Sequence, residues 1–161
     1  MNDRNYPLLT KLFLDLEVEL HPTSMSFGVE TNNLKWCSND FLKLRFLRSL
    51  KKIRLFFEMI RFNSLASDVK SNSSIEDWLR ENNFSDFFRE NYIFPMSASI
   101  WSSSQESINK FPMRSLSSFF KNHGLLDLIK RPQWFSVLGG SNTYIDKIIK
   151  KSQIKNLFLN A

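Results

Sequence analysis

Residues 41–65 read FLKLRFLRSLKKIRLFFEMIRFNSL, a run without glycine or proline. Leu42, Phe46, Leu50, Ile53, Phe57 and Ile60 recur at three- and four-residue steps. The run therefore predicts a long amphipathic helix with that stripe against a core. Seven cations, Lys43, Arg45, Arg48, Lys51, Lys52, Arg54 and Arg61, stand against one acid, Glu58, and most point away from the stripe. Such a charge run is either a solvated face or a surface for an anion or an acidic partner.

Working outward, Leu8, Leu9, Leu12, Phe13 and Leu16 have helical spacing after Tyr6-Pro7. The period then changes to two. Val18 and Leu20 predict one strand, and Met25, Phe27 and Val29 a second that pairs with it; residues 34–37 form a third after the turn at 32–33. Ser73 followed by Glu76 has capping-box spacing and starts a helix containing Trp78 and Leu79. A short helix at 84–91 places Phe84, Phe87 and Phe88 on one side, and Pro95 stops it. Residues 96–104 are small apart from Trp101. Pro112 opens a helix with Leu116, Phe119 and Phe120, ended by His123-Gly124, where His123 caps carbonyls. Residues 135–138 read as a strand and Gly139-Gly140 as a sharp turn. Ser141 caps a last helix that buries Tyr144, Ile145, Ile148 and Ile149, and residues 154–159 suggest a closing strand. The fold class expected is α+β, mainly helical with a small antiparallel sheet, built as one unit over 1–161.

With 42% hydrophobic residues and sixteen Phe in 161, the chain has the material for a packed core. The net charge of +6 permits contact with an anionic surface without pointing to specific nucleic-acid binding. The single Cys37 cannot form an internal disulfide, and with no signal-like apolar start the cytoplasm is the compartment expected. Charges interrupt every apolar run, so no membrane span is expected. Gly28, Gly124, Gly139 and Gly140 cannot make the G-x-G-x-x-G turn that lets a backbone approach a pyrophosphate, nor a phosphate loop. His21 and His123 lie in no metal-ligand pattern, so no metal is expected. No serine stands in a G-x-S-x-G elbow.

Four ordered stretches carry a resemblance. Residues 6–13, YPLLTKLF, followed by Met25-Ser26-Phe27, are similar to a Y-P-x-L-x-x-L-F and M-S-F passage. Residues 94–102, FPMSASIWS, are similar to P-M-x-x-x-I-W-S, and residues 119–126, FFKNHGLL, to F-F-x-N-H-G-L-L. Arg131-Pro132-Gln133-Trp134, with Val137, Gly139-Gly140-Ser141 and Tyr144, resembles R-P-Q-W-x-x-V-x-G-G-S-x-x-Y. Together they resemble the bacterial NAD/FAD-binding, flavin-containing amine oxidoreductases, relatives of the monoamine and polyamine oxidases and the phytoene desaturases.

The resemblance spans about residues 6–160 and corresponds to the interior of a longer family protein. It implies a substrate-domain segment of an FAD-dependent oxidoreductase, in which the flavin carries the redox chemistry. The Rossmann-type start and the closing flavin segment of the family are not in these residues. FAD is thus the family's cofactor, but this chain alone is expected to bind none and to be inactive without flanking domains or a separate flavin-binding polypeptide. Met96, Ser97, Ala98, Ile100 and Trp101 are the implied substrate-pocket wall. Trp134, Gly139, Gly140 and Ser141 are the implied cofactor-proximal turn. The plainer alternative makes Trp101 and Trp134 core rings and Gly139-Gly140 an ordinary turn. No catalytic acid, base or nucleophile is implied. A free-standing interaction module that uses the basic helix on an acidic partner, nucleic acid or anionic lipid is the other functional class, and a decayed fragment is a third.

Overall fold

The computed structural model describes residues 1–32, 34–40, 48–127 and 131–152. In chain order its elements are α1 (Pro7–Asp15), β1 (Leu20–Thr23), β2 (Gly28–Glu30), β3 (Lys35–Cys37), a 3-10 turn (Ser38–Asp40), α2 (Leu50–Ala66), α3 (Ile75–Glu81), α4 (Asp86–Phe88), a π-helical turn (Arg89–Ile93), α5 (Phe94–Trp101), α6 (Gln105–Asn109), α7 (Met113–Asn122), β4 (Trp134–Val137) and α8 (Asn142–Ser152). The class is α+β, and among the described residues the strands form two separate antiparallel pairs, β1 with β4 and β2 with β3. By their contacts the residues divide into two compact units, Met1–Met25 with Pro132–Ala161, and Ser26–Arg131. The strand suggested at 154–159, the start of the long helix with Leu42 and Phe46, the cations Lys43 and Arg45, and Asn33 of the turn lie outside the described residues.

In the first unit, Pro7 occupies the first turn of α1, where its missing N–H costs nothing. Of the apolar spacing expected there, Phe13 and Leu16 are buried and Leu8 is exposed. β1 does not pair with the strand that follows it. Its register runs Leu20 to Val137 and Thr23 to Trp134. Phe27, by contrast, is committed elsewhere: its N–H donates to Ser38 Oγ (3.0 Å) and its carbonyl accepts from Ser38 N (2.8 Å), which draws β2 to β3. α8 does not bury the side expected of it. Tyr144 meets the Phe13 ring at 5.1 Å, but Ile145 is exposed and Ile148 and Ile149 are half-buried. The helix is held by charge as well: Lys147 Nζ donates to the Glu17 carbonyl (2.6 Å) and Lys151 Nζ to that of Asp15 (2.7 Å). These cations meet the carbonyl end of α1, where the helix dipole favours positive charge.

In the second unit the long helix turns a different face inward from the one its stripe predicts. Leu50, Phe57 and Ile60 are exposed, whereas Leu55, Met59, Phe62 and Ala66 are buried. The physical reason is Phe62. Its ring meets Trp78, Phe84, Phe88, Tyr92 and Phe120 at centroid distances of 5.7–6.4 Å. Such contacts add about 0.5–1.5 kcal/mol each beyond area burial, so the face carrying Phe62 wins. Beside it runs a five-ring stack, Trp78 on Phe84 on Phe88 on Tyr92 on Trp36, with neighbouring planes within 28° of parallel. Phe87 falls off this line and lies under the Arg54 guanidinium instead.

α3 is capped one residue later than the sequence suggests. Ser74 Oγ accepts from Asp77 N (3.1 Å) and donates to Asp77 Oδ2 (2.6 Å). Ser74 is the extended residue before the helix and forms a β-bridge with Pro112, while the Ser73 carbonyl accepts from Met113 N.

Pro95 does not stop the helix before it. Residues from Asp86 to Trp101 remain helical through the π turn, in which Phe94 N–H reaches back to the Arg89 carbonyl. The wider turn makes room for the proline ring. Proline has no N–H for the carbonyl four residues back, Asn91, and that carbonyl accepts the Trp36 indole N–H (2.9 Å, buried). The Asn91 side chain donates to the Phe87 carbonyl (2.9 Å) and accepts from Thr31 Oγ (2.7 Å). One asparagine thus latches the β2–β3 hairpin onto the helix.

Trp36→Phe removes the donor from a buried carbonyl and is expected to cost about 1–3 kcal/mol. Pro95→Ala restores an N–H for that carbonyl, so in its background the cost of Trp36→Phe should fall by at least about 0.5 kcal/mol. Urea unfolding of the four proteins measures this, and strict additivity would remove the latch.

Candidate functional site

The π turn and the latch determine what α5 presents. Met96 and Ser97 face inward and are buried; Ala98 and Ile100 are half-buried. Trp101, also half-buried, packs against Phe111 (5.1 Å) and Phe119 (5.2 Å). Ser102 closes the helix in the left-handed region, φ 49°. The five wall candidates therefore share one helix but not one cavity.

Met96 lines a small space under the hairpin with Phe27, Trp36, Met59, Tyr92 and Arg131. At about 10 Å³ it is the size of a single water and far below a substrate. Burial pushes the Tyr92 hydroxyl well above the ordinary tyrosine range, and the Arg131 guanidinium offsets part of that shift. A larger open hollow of about 580 Å³, in the size range of small-molecule sites, adjoins the same hairpin; Val29, Lys35, Trp36, Cys37, Asp40 and Lys52 line it. The sequence pattern did not point to this hollow. Its nearest signal is Pro95 standing four residues after Asn91, which marks a carbonyl in need of a donor and hence a neighbour such as Trp36.

Two buried polar side chains in this unit, Ser97 Oγ and both amide atoms of Asn63, have no hydrogen-bond partner among the described residues. They are groups that a bound water or ligand would satisfy. His123 behaves as its position predicts: Nδ1 lies 2.9 Å from the Phe119 carbonyl, at the end of α7, and Gly124 follows with φ 67°. Cys37 is a half-buried free thiol. Among the described residues no three His, Cys, Asp or Glu side chains gather as a metal site would require.

The other group of candidates belongs to the first unit. Trp134 opens β4, half-buried, with its ring edge-on to Tyr6 at 6.4 Å. Gly139, Gly140 and Ser141 form the exposed link from β4 to α8. Both glycines have positive φ, 79° and 85°, which explains them as a turn without any ligand. A Cβ on Gly139 would come within 3.0 Å of Thr143 Cγ2, whereas one on Gly140 meets nothing within 4 Å. Comparison with protein-family models and with curated proteins gives no match for this chain.

Gly139→Ala should therefore lower the thermal midpoint more than Gly140→Ala, each costing about 1 kcal/mol or more from the φ term alone. A second expectation concerns pH. Above the ordinary phenol value of 10.0 the unfolded chain gives up the Tyr92 proton while the folded chain retains it. Stability present below that value is then lost as pH rises past it. Tyr92→Phe should flatten the alkaline fall of the urea midpoint; an unchanged slope would show that the hydroxyl is not the group responsible.

Proposed function

We propose that this chain is the substrate-side portion of an FAD-dependent, amine oxidase-like oxidoreductase whose flavin-binding segments lie outside these residues. The motifs support the reading through their order, and one structural observation carries it. The unit Ser26–Arg131 is inserted in the sequence between β1 and β4, which pair antiparallel within the other unit. An inserted helical unit is suited to covering a reaction centre held on another body, because ligand sites favour the boundary between such parts.

The residues described do not fit a dinucleotide by themselves. They contain no parallel strand pair, and the one glycine turn between strand and helix, Gly139-Gly140, follows an antiparallel strand. A pyrophosphate cradle needs the parallel strand–turn–helix arrangement with its glycine spacing. Flavin, when bound in the assembled protein, would supply hydride chemistry. The contribution of this chain is to shape and dry the space above it. Trp101 on α5 is the residue assigned to that wall, Met96 being enclosed in the small space under the hairpin.

Purified with excess FAD and desalted, the chain alone should be colourless. Co-expressed with the polypeptides encoded immediately on either side of its reading frame, it should yield a flavin-containing complex. In that complex Trp101→Ala should lower the rate of flavin reduction by substrate by about tenfold or more. Flanking sequence that encodes no dinucleotide-binding segment, or near-stoichiometric flavin on the chain alone, would overturn the proposal.

A further inference from the structure

The outward face of α2 combines bare apolar side chains with fixed positive charge. Leu50 is 85% exposed, Phe57 66% and Ile60 37%, with Ile53 half-buried between them. Positions 50, 53, 57 and 60 share one side of the helix, opposite the buried Leu55, Met59 and Phe62. Leaving this much hydrocarbon in water on one ridge is unfavourable unless something covers it.

The charges beside this row are held in place. Arg61 lies over the Phe84 ring (4.5 Å) and donates to the carbonyls of Asn82 and Asn83. Arg54 lies over Phe87 (5.5 Å) with its side chain still 59% exposed. Glu58, the acid of this helix, is withdrawn: its carboxylate accepts from Ser85 N (3.0 Å) and Ser85 Oγ (2.6 Å), capping α4, and from Arg54 Nε (3.2 Å). Its side chain is 16% exposed. The helix therefore shows solvent an apolar row edged by cations, with its one acid turned inward.

We infer that α2 rests on an anionic lipid surface, with Leu50, Phe57 and Ile60 entering the headgroup region and Arg54 and Arg61 facing lipid phosphates. Charge complementarity selects an anionic occupant. Nucleic acid would meet the cations but would leave Leu50, Phe57 and Ile60 in water. A folded protein partner needs about 800 Å² per side, and the side chains of one helical ridge supply on the order of half of that. A fluid interface takes separate side chains without matched relief, which is how amphipathic helices lie on membranes. This attachment is peripheral, since no helix among the described residues is long and apolar enough to cross a membrane. It does not rest on the flavin reading.

Co-sedimentation of the full chain with vesicles tests it. Phosphatidylcholine vesicles containing phosphatidylglycerol should retain the chain at low salt, pure phosphatidylcholine should not, and binding should fall several-fold at roughly 0.5 M salt. The double substitution Leu50→Ser, Phe57→Ser should reduce the partition coefficient by about tenfold or more while leaving the thermal midpoint in place, because both side chains are exposed. Phe57→Glu provides a second variant, at a position 66% exposed, that should weaken binding with no bearing on the core. The inference fails if anionic vesicles do not retain the chain at low salt, if neither variant changes the partition, or if duplex DNA or an acidic protein displaces the chain from vesicles and binds both variants as well as the parent.

Discussion

One hydrogen bond organises the larger unit: the Trp36 indole N–H on the Asn91 carbonyl, a bond that Pro95 makes available by having no proton of its own to give. A buried carbonyl without a donor is costly, and the chain meets that cost with a side chain from a hairpin more than fifty residues earlier. The same contact stacks Trp36 on Tyr92 and completes the row of five rings. Through it, local backbone chemistry at a proline becomes the long-range contact that positions the hairpin, the end of the aromatic stack and the inward face of α5.

Much of this was legible in the residues, for identifiable reasons. The class, the existence of most helices, the β3 strand after its turn and the His123-Gly124 stop follow from period and capping chemistry, which are local. The inward face of α2 was not legible. Two apolar stripes lie on that helix, and the choice between them was made by Phe62, whose five ring neighbours come from α3, the segment after it, α4, the π turn and α7. Strand partners failed in the same way: β1 reads as a strand locally, but its mate β4 lies more than a hundred residues away. Pro95 misled because proline is a helix stop only when the preceding turn keeps α-helical width, and here it widens.

The candidate site divides along the same line. Residues 96–104 read only as a small-residue stretch after a helix stop, so neither α5 itself nor the separation of Met96, under the hairpin, from Trp101, against Phe111 and Phe119, was legible. The glycines after β4 were recognisable as a turn, and their positive φ values account for them in full.

The pairing of Thr23 with Trp134 has an architectural consequence. Antiparallel partners stand about 5 Å apart, so the chain leaves the ribbon and returns to it at almost the same point. A gap that narrow can be spanned by a two-residue hairpin turn. The ribbon therefore sets almost no requirement on the length of the stretch between Thr23 and Trp134, which could be lengthened or shortened without moving either strand.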